Sequence, residues 1–260
     1  MLEVVAPLVE RRLAAKGRGR IEADHPLLPL GLDALGRATG DTRYSTAAAQ
    51  AEVAGAEAVL VPMPGICAGS GCRTDDLLLA SDLWAGPWLG EPGRARVVSL
   101  DPAFRRMALT LFDREALLFH ADDDAIGERQ FDGAVNATAF AALTRMVDAL
   151  PAEDPARLEY VALYREMARM ITRTQGPDAL WRARLDEGWG PADMRASALF
   201  VFGLTWGLNT GMLSFNEGES AALRGWDALR TPARLAAFEN DDAALGALLL
   251  ASAQMAERRW

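Results

Sequence analysis

Cysteine and histidine are scarce in this chain, with two of each in 260 residues. Cys67 and Cys72 are too few for a disulfide scaffold, and their number fits a reducing compartment. A zinc site would have to gather His25, Cys67, Cys72 and His120. The Cys-x4-Cys spacing is loose for that and no His-x3–5-His accompanies it, so no metal or other cofactor is expected. Long apolar runs are missing too. None reaches the roughly eighteen uncharged residues of a membrane span. Met1 to Arg20 alternates Glu and Arg with Leu and Val and lacks the apolar block of a secretory signal, which makes the cytoplasm the expected location. Excess positive charge is also absent: the formal net charge of −9 argues against a general nucleic-acid binder, whose phosphate contacts need a basic stripe. The cluster Arg11, Arg12, Lys16, Arg18 and Arg20 reads as a solvated face beside a Gly-rich turn. No Gly-x-Ser-x-Gly elbow, P-loop or dinucleotide-binding glycine motif is present, so serine-nucleophile and phosphate chemistry have little to stand on.

What the chain does have is apolar residues at helical spacing. Hydrophobic residues make up 50% of it, with no low-complexity segment and no shift in composition, so one domain over residues 1–260 is expected. Val5, Leu8, Val9 and Leu13 share one side of a helix from Val4 to Lys16. Leu27 to Ala38 forms a second, closed by Gly40, and the Ala-rich stretch from Thr42 to Leu60 a third. Asp101-Pro102 and Asp154-Pro155 look like N-caps followed by a proline at the first helical position, and Thr231-Pro232 repeats the pattern. Asn136 to Leu150, Asp193 to Met212, Gly218 to Arg230 and Asp241 to Arg259 complete the series. Period-two alternation is nearly absent; the neighbourhood of Phe119 and the stretch Leu180 to Leu185 allow one short strand each. Helices joined by short loops form hairpins, and hairpins of this length close into a toroid or stack into an array.

Carboxylates are the remaining candidates for chemistry. A pair can divide the work, one kept protonated by its surroundings and the other ionised. Asp24, Asp75 and Asp76 stand at loop-to-helix junctions, with Asp113 and Asp122 to Asp124 behind them. Arg73-Thr74-Asp75-Asp76 precedes the apolar run Leu77-Leu78-Leu79-Ala80. Two readings of this stretch stand open. Thr74 with its acids is a well-capped helix start, or one acid is a catalytic carboxyl at the rim of a helical barrel. His25 and His120 each sit beside acids in loops or at helix starts. Trp84, Trp88, Trp181 and Trp189 could offer faces to a sugar ring, and each is equally well read as core.

The order of motifs resembles the unsaturated glucuronyl and rhamnogalacturonyl hydrolases, glycoside hydrolase families 88 and 105. Ala23-Asp24-His25 and the Thr39-Gly40-Asp41-Thr42-Arg43-Tyr44 turn are similar to an early helix of that family. Thr74 to Ala80 resembles its Val-Asp-Asp-Leu-Phe-Met-Ala segment, and Asp113 to His120 its Asp-x-x-Thr-Gly-Leu-Tyr-Tyr-His. Ala179-Leu180-Trp181, Ala196 to Phe202 and Gly246 to Ala251 resemble its Gly-Leu-Trp, Ser-Ala-Ser-Ala-Met-Phe and Gly-Ala-Phe-Leu-Leu-Ala segments. The matches are collinear from Asp24 onward. Two departures stand out. The family's Arg-Gly-Asn-Gly-Trp is Ala134-Val135-Asn136-Ala137-Thr138 here, keeping only the Asn, and the connection between Trp226 and Gly246 is short.

The resemblance implies an all-α fold, an (α/α) barrel of helical hairpins of the (α/α)6 kind, with room for an incomplete ring. It also implies acid-catalysed hydration of the C4=C5 double bond of an unsaturated uronyl sugar. Asp75 would be the general acid and base, and Asp24 the second carboxylate. His25, Asp76, His120, Asn136 and Trp84 would contact the sugar. The partner expected is a small molecule or oligosaccharide, with neither nucleic acid nor membrane, and a homodimer is compatible with the sequence. Asp75 must hold a proton near neutral pH, whereas a helix start favours its ionised form. Two other readings stay open: a cyclase- or lyase-type enzyme reusing the barrel and its acids, and a non-catalytic binding module.

Overall fold

The computed structural model describes residues 2–15, 21–53, 67, 71–74, 95 and 98–258. Ten α-helices account for most of them: α1 (Leu2–Ala15), α2 (Leu27–Thr39), α3 (Thr42–Gln50), α4 (Asp101–Leu111), α5 (Gly133–Ala149), α6 (Pro155–Arg173), α7 (Met194–Asn209), α8 (Phe215–Leu229), α9 (Pro232–Leu235) and α10 (Asp242–Ala256).

Three of these helices are apolar on nearly every side. α7 buries Ala196 to Leu208 without interruption, and α5 and α10 behave alike. A helix of that kind has no face to give to water and must be surrounded by others. α5, α7, α10 and α2 accordingly stand side by side as an inner row, in that order. Their partners α6, α8 and α3 are amphipathic and lie outside. α6 turns Tyr160, Tyr164, Met167, Ala168 and Ile171 inward, at the i, i+4, i+7 spacing of a one-sided helix.

The inner helices run parallel. The first turns of α2 and α10 meet: the Asp24 N–H donates to Asp242 Oδ2 at 2.8 Å, and a Cβ added to Gly246 would sit 2.2 Å from the Leu27 carbonyl carbon. The last turns of α7 and α10 meet as well, through Asn209 Nδ2 donating to the Gln254 carbonyl at 2.9 Å. α5 and α7 are tied at the same end by Trp206 Nε1 donating to Asp148 Oδ2 at 3.0 Å. Arg145 of α5 lies buried within electrostatic reach of Asp33 and Arg37 of α2, so the row curves until its two ends face one another.

Four amino-terminal helix ends therefore share one rim. Three carry an aspartate cap: Asp132 accepts from Val135 N–H, Asp193 from Ala196 N–H and Asp241 from Ala244 N–H, at 2.8–2.9 Å. Each cap stabilises its helix by about 1 kcal/mol and lowers the positive potential of that end. α2 differs. It starts at Pro26 without a carboxylate cap, and the Leu27 N–H donates to His25 Nδ1 at 3.2 Å.

Local expectations hold in most places. Gly40 closes α2 at φ 74°, its N–H reaching the Gly36 carbonyl. Asp154 caps α6 ahead of Pro155. Asp101, expected as a cap, is instead inside the first turn of α4, where it takes an ion pair from Arg105 and a hydrogen bond from Tyr160. The helix expected to run from Thr42 to Leu60 ends at Gln50, because Ala51–Val53 (β2) pairs in parallel with Ile21–Ala23 (β1) across the α2–α3 hairpin. The strand expected at Phe119 is Leu118–Phe119 (β4), antiparallel to Phe112–Asp113 (β3). Leu180 to Leu185 contributes only isolated bridges, Arg182 with Ala192 and Arg184 with Asp132. Cys67 and Cys72, expected as thiols of a reducing compartment, are joined in a disulfide.

Candidate active-site rim

The rim is formed by the loops that precede the inner helices. Asp24 and His25 stand before α2. The Asp24 side chain is exposed while its backbone is held by Asp242, itself buried and gripped by Arg12 through two bonds of 2.6–2.7 Å. Burial pushes the His25 imidazole down to about 4, helped by the charge of Arg195 and opposed by Asp241 and Asp242. His25 is therefore neutral near pH 7. Its Nδ1 accepts from Leu27, so the proton resides on Nε2.

His120 stands before α5 and is buried. Its N–H donates to the Leu111 carbonyl at 2.9 Å, its Nε2 lies 3.5 Å from Asp113 Oδ2, and the Phe131 ring packs over it with centroids 4.9 Å apart. The Asp113 carboxyl is held below its usual range, first by the Ala116 N–H, then by Glu115 N–H and His120. A charged Asp113 orients the imidazole and leaves Nδ1 without a partner among the described residues. Behind His120, Asn136 is fully buried. Its Oδ1 accepts from Phe119 N–H at 2.7 Å, and its Nδ2 donates to the carbonyls of Phe119 and Asp132 at 3.0 and 2.9 Å. The amide is thus engaged with the backbone that carries His120.

Thr74 is fully buried against the same residue, its hydroxyl donating to the His120 carbonyl and its N–H to that of Ala121, both at 2.8 Å. Asp75, Asp76 and Trp84 lie outside the described residues; Thr74 brings the chain to His120 one position before Asp75. His120 belongs to the α5 side of the rim, and Asp24 and His25 to the α2–α10 side. Trp181 is core, its Nε1 donating to the Ile171 carbonyl at 2.7 Å. Trp189, in the loop before α7, is 71% exposed between Gly188 and Gly190, both at positive φ. A cleft of about 600 Å³ opens beside the disulfide, against Arg106, Leu109 and Thr110 of α4. Among the described residues no group of three or more His, Cys, Asp or Glu is placed to hold a metal ion, and no helix is long and apolar enough to cross a membrane.

Reasoning from sequence missed one rim residue, Arg195, in the first turn of α7. It is half-buried and makes no hydrogen bond or ion pair among the described residues. The signal was available: two residues after the Asp193 cap, a cation occupies the turn where the helix dipole disfavours it.

A ring of parallel inner helices, carboxylates and imidazoles on the rim of their amino-terminal ends, and amphipathic helices outside define an α/α toroid of the glycosidase type. Residues 93–252 match Glycosyl Hydrolase Family 88, and the chain belongs to that family. An unsaturated 3S-rhamnoglycuronyl hydrolase of Alteromonas sp. (strain LOR) is 28% identical over 177 residues, which are 64% of this chain and 42% of that protein. The chain thus spans less than half the length of this curated relative. A glycosyl hydrolase of family 88 from Bacteroides vulgatus superposes with a TM-score of 0.77 at 19% identity, covering 98% of this chain and 97% of the other. A polysaccharide lyase superposes with a TM-score of 0.69 at 16% identity, covering 98% and 97%. These two likenesses establish the fold.

Proposed function

We propose that this chain is a glycosidase that hydrates the C4=C5 double bond of an unsaturated uronyl sugar at the end of an oligosaccharide. Membership of Glycosyl Hydrolase Family 88 carries the reading. The rim supports it with a buried imidazole lacking a partner at Nδ1 among the described residues, an open carboxylate at Asp24 and an exposed indole at Trp189 that suits stacking on a sugar.

In this reading the Asp75 carboxyl donates its proton to C4, and water positioned by Asp24 bonds to C5. The Asp75 carboxylate takes up the proton that water loses. The C5 hemiketal then opens, and the rest of the oligosaccharide leaves from C1 as an alcohol. Asp75 must keep its proton near neutral pH, and a carboxylate neighbour or desolvation has to outweigh a helix-start effect of about 0.3–1 kcal/mol. His25, Asp76, His120 and Trp84 contact the sugar, and Asn136 acts from behind by holding His120 in place.

The likeness to a lyase keeps a second reading alive, elimination that creates such a double bond. One assay separates them by sign. On a panel of unsaturated uronyl oligosaccharides the hydrolase bleaches the ultraviolet absorbance of the conjugated double bond, whereas a lyase acting on intact polysaccharide raises it. Asp75→Asn should abolish the bleaching. No bleaching across the panel, or an unaffected Asp75→Asn variant, would refute the proposal.

A further inference from the structure

The β3–β4 hairpin sets two titratable side chains on one face. Phe112 pairs with Phe119 and Asp113 with Leu118, so His120, two residues past Leu118, lies diagonally across from Asp113 on the same side. The Phe112 and Phe119 rings pin this register from the other side, with centroids 5.2 Å apart. The His120 N–H on the Leu111 carbonyl and the Asn136 amide on Phe119 hold it through the backbone.

The Asp113 carboxylate divides its two oxygens. Oδ1 accepts from the N–H groups of Glu115 and Ala116, both at 2.8 Å, and so closes the turn between the strands. Oδ2 faces His120 Nε2 at 3.5 Å. The two backbone bonds favour an ionised carboxyl, and an ionised carboxyl facing a ring nitrogen calls for the proton on that nitrogen. Phe131 packs on the ring, and the His120 carbonyl accepts from Thr74. Nδ1 is the remaining polar atom of the residue, without a partner among the described residues and on a side chain only 7% exposed. On a rim that takes a sugar, such a buried acceptor is left for the ligand.

We propose that Asp113 is a positioning residue, which fixes His120 with its proton on Nε2 and the lone pair of Nδ1 turned to the sugar, so that His120 accepts a hydrogen bond from a ring hydroxyl of the uronyl unit. The inference rests on the uronide reading above and assigns a role within that same site. A uronyl sugar unsaturated between C4 and C5 and linked through C1 keeps ring hydroxyls at C2 and C3, and one of these is the donor. Asp113 neither touches the sugar nor transfers a proton.

Asp113→Asn separates positioning from folding. Its amide oxygen still accepts from Glu115 and Ala116, whereas its Nδ2–H faces Nε2 and drives the ring proton to Nδ1. Nitrogen NMR of the intact protein reads this directly, with His120 assigned by the signals lost in His120→Gln. Wild type should show a protonated Nε2 and a bare Nδ1 at pH 7.5, and Asp113→Asn the reverse. A protonated Nδ1 in wild type, or an unchanged pattern in Asp113→Asn, would overturn the proposal. In kinetics, Asp113→Asn should raise KM for an unsaturated uronyl disaccharide about 10- to 100-fold and change kcat by less than about threefold. Fluorine in place of one of the two hydroxyls, which cannot donate, should weaken wild-type binding by a similar factor and matter much less in Asp113→Asn. Equal penalties in the two proteins would refute the hydroxyl contact. If nothing turns over but the disaccharide shifts the Nδ1 resonance in wild type alone, the positioning stands and the hydrolase reading fails. If turnover occurs and Asp113→Asn keeps the wild-type KM, the hydrolase reading stands and the positioning fails. Neither turnover nor a shift overturns both.

Discussion

Replacing Asn136 tests how the rim is held from behind. The Asn136 amide is fully buried and makes three bonds of 2.7–3.0 Å, two of them to the backbone of Phe119. Asn136→Ala leaves the Phe119 N–H and carbonyl unsatisfied inside the protein, while the Asp132 carbonyl keeps its helical bond from the residue 136 N–H. An orphaned buried donor costs about 1–3 kcal/mol and an orphaned acceptor somewhat less, so the variant should lose about 2–4 kcal/mol. For a chain of this size that is roughly 5–15 °C in Tm. Asn136→Asp discriminates further. One of its oxygens can still accept from Phe119, but the other faces two carbonyls, which only a protonated carboxyl satisfies. Its folded-state pKa is therefore raised above the unfolded value of about 3.9. Above that value the unfolded chain gives up a proton that the folded protein retains, so stability falls as pH rises, by up to about 1.4 kcal/mol per unit. Urea unfolding of both variants at pH 5.5 and 7.5, each referred to wild type, reads this directly. Asn136→Asp should lose additional stability at the higher pH and Asn136→Ala should not. A loss below about 0.5 kcal/mol for Asn136→Ala, or the same pH response in both variants, would refute the assignment of these bonds.

Two further outcomes are expected. Ala179 sits at φ 65°, where a Cβ is strained by about 1–2 kcal/mol, so Ala179→Gly should gain about 0.5 kcal/mol after the added chain entropy is counted, and calorimetry showing a lowered Tm would contradict this. His25 is depressed to about 4 from 6.5, so the unfolded state binds its proton first as pH falls. Stability should decline from pH 6.5 toward 4 by about 1–3 kcal/mol more in wild type than in His25→Asn, which keeps an acceptor for Leu27; parallel pH–stability curves would exclude it.

The strained positions also bear on what could be read in advance. Leu117 at φ 57° and Ala179 at φ 65° hold a left-handed backbone that suits glycine, so neither residue type announces its turn. Asp154 and Gly40, which act within three or four residues of themselves, were legible because capping is a local matter. The early end of α3 was not. The β1–β2 pairing that halts it at Gln50 joins residues 30 positions apart, and no local propensity announces it.

The amino-acid order by itself settled the helical character of the chain, most helix ends and the succession of family motifs, since these depend on spacings of three to seven residues. Only the tertiary structure decided that four inner helices point their amino-terminal ends at one rim, that Asn136 is spent on the backbone behind His120, and that burial, with the charge of Arg195, holds His25 neutral. Those outcomes follow from packing between segments up to about two hundred residues apart. There the contact of one glycine with a carbonyl, as at Gly246 and Leu27, sets which side chains share a space.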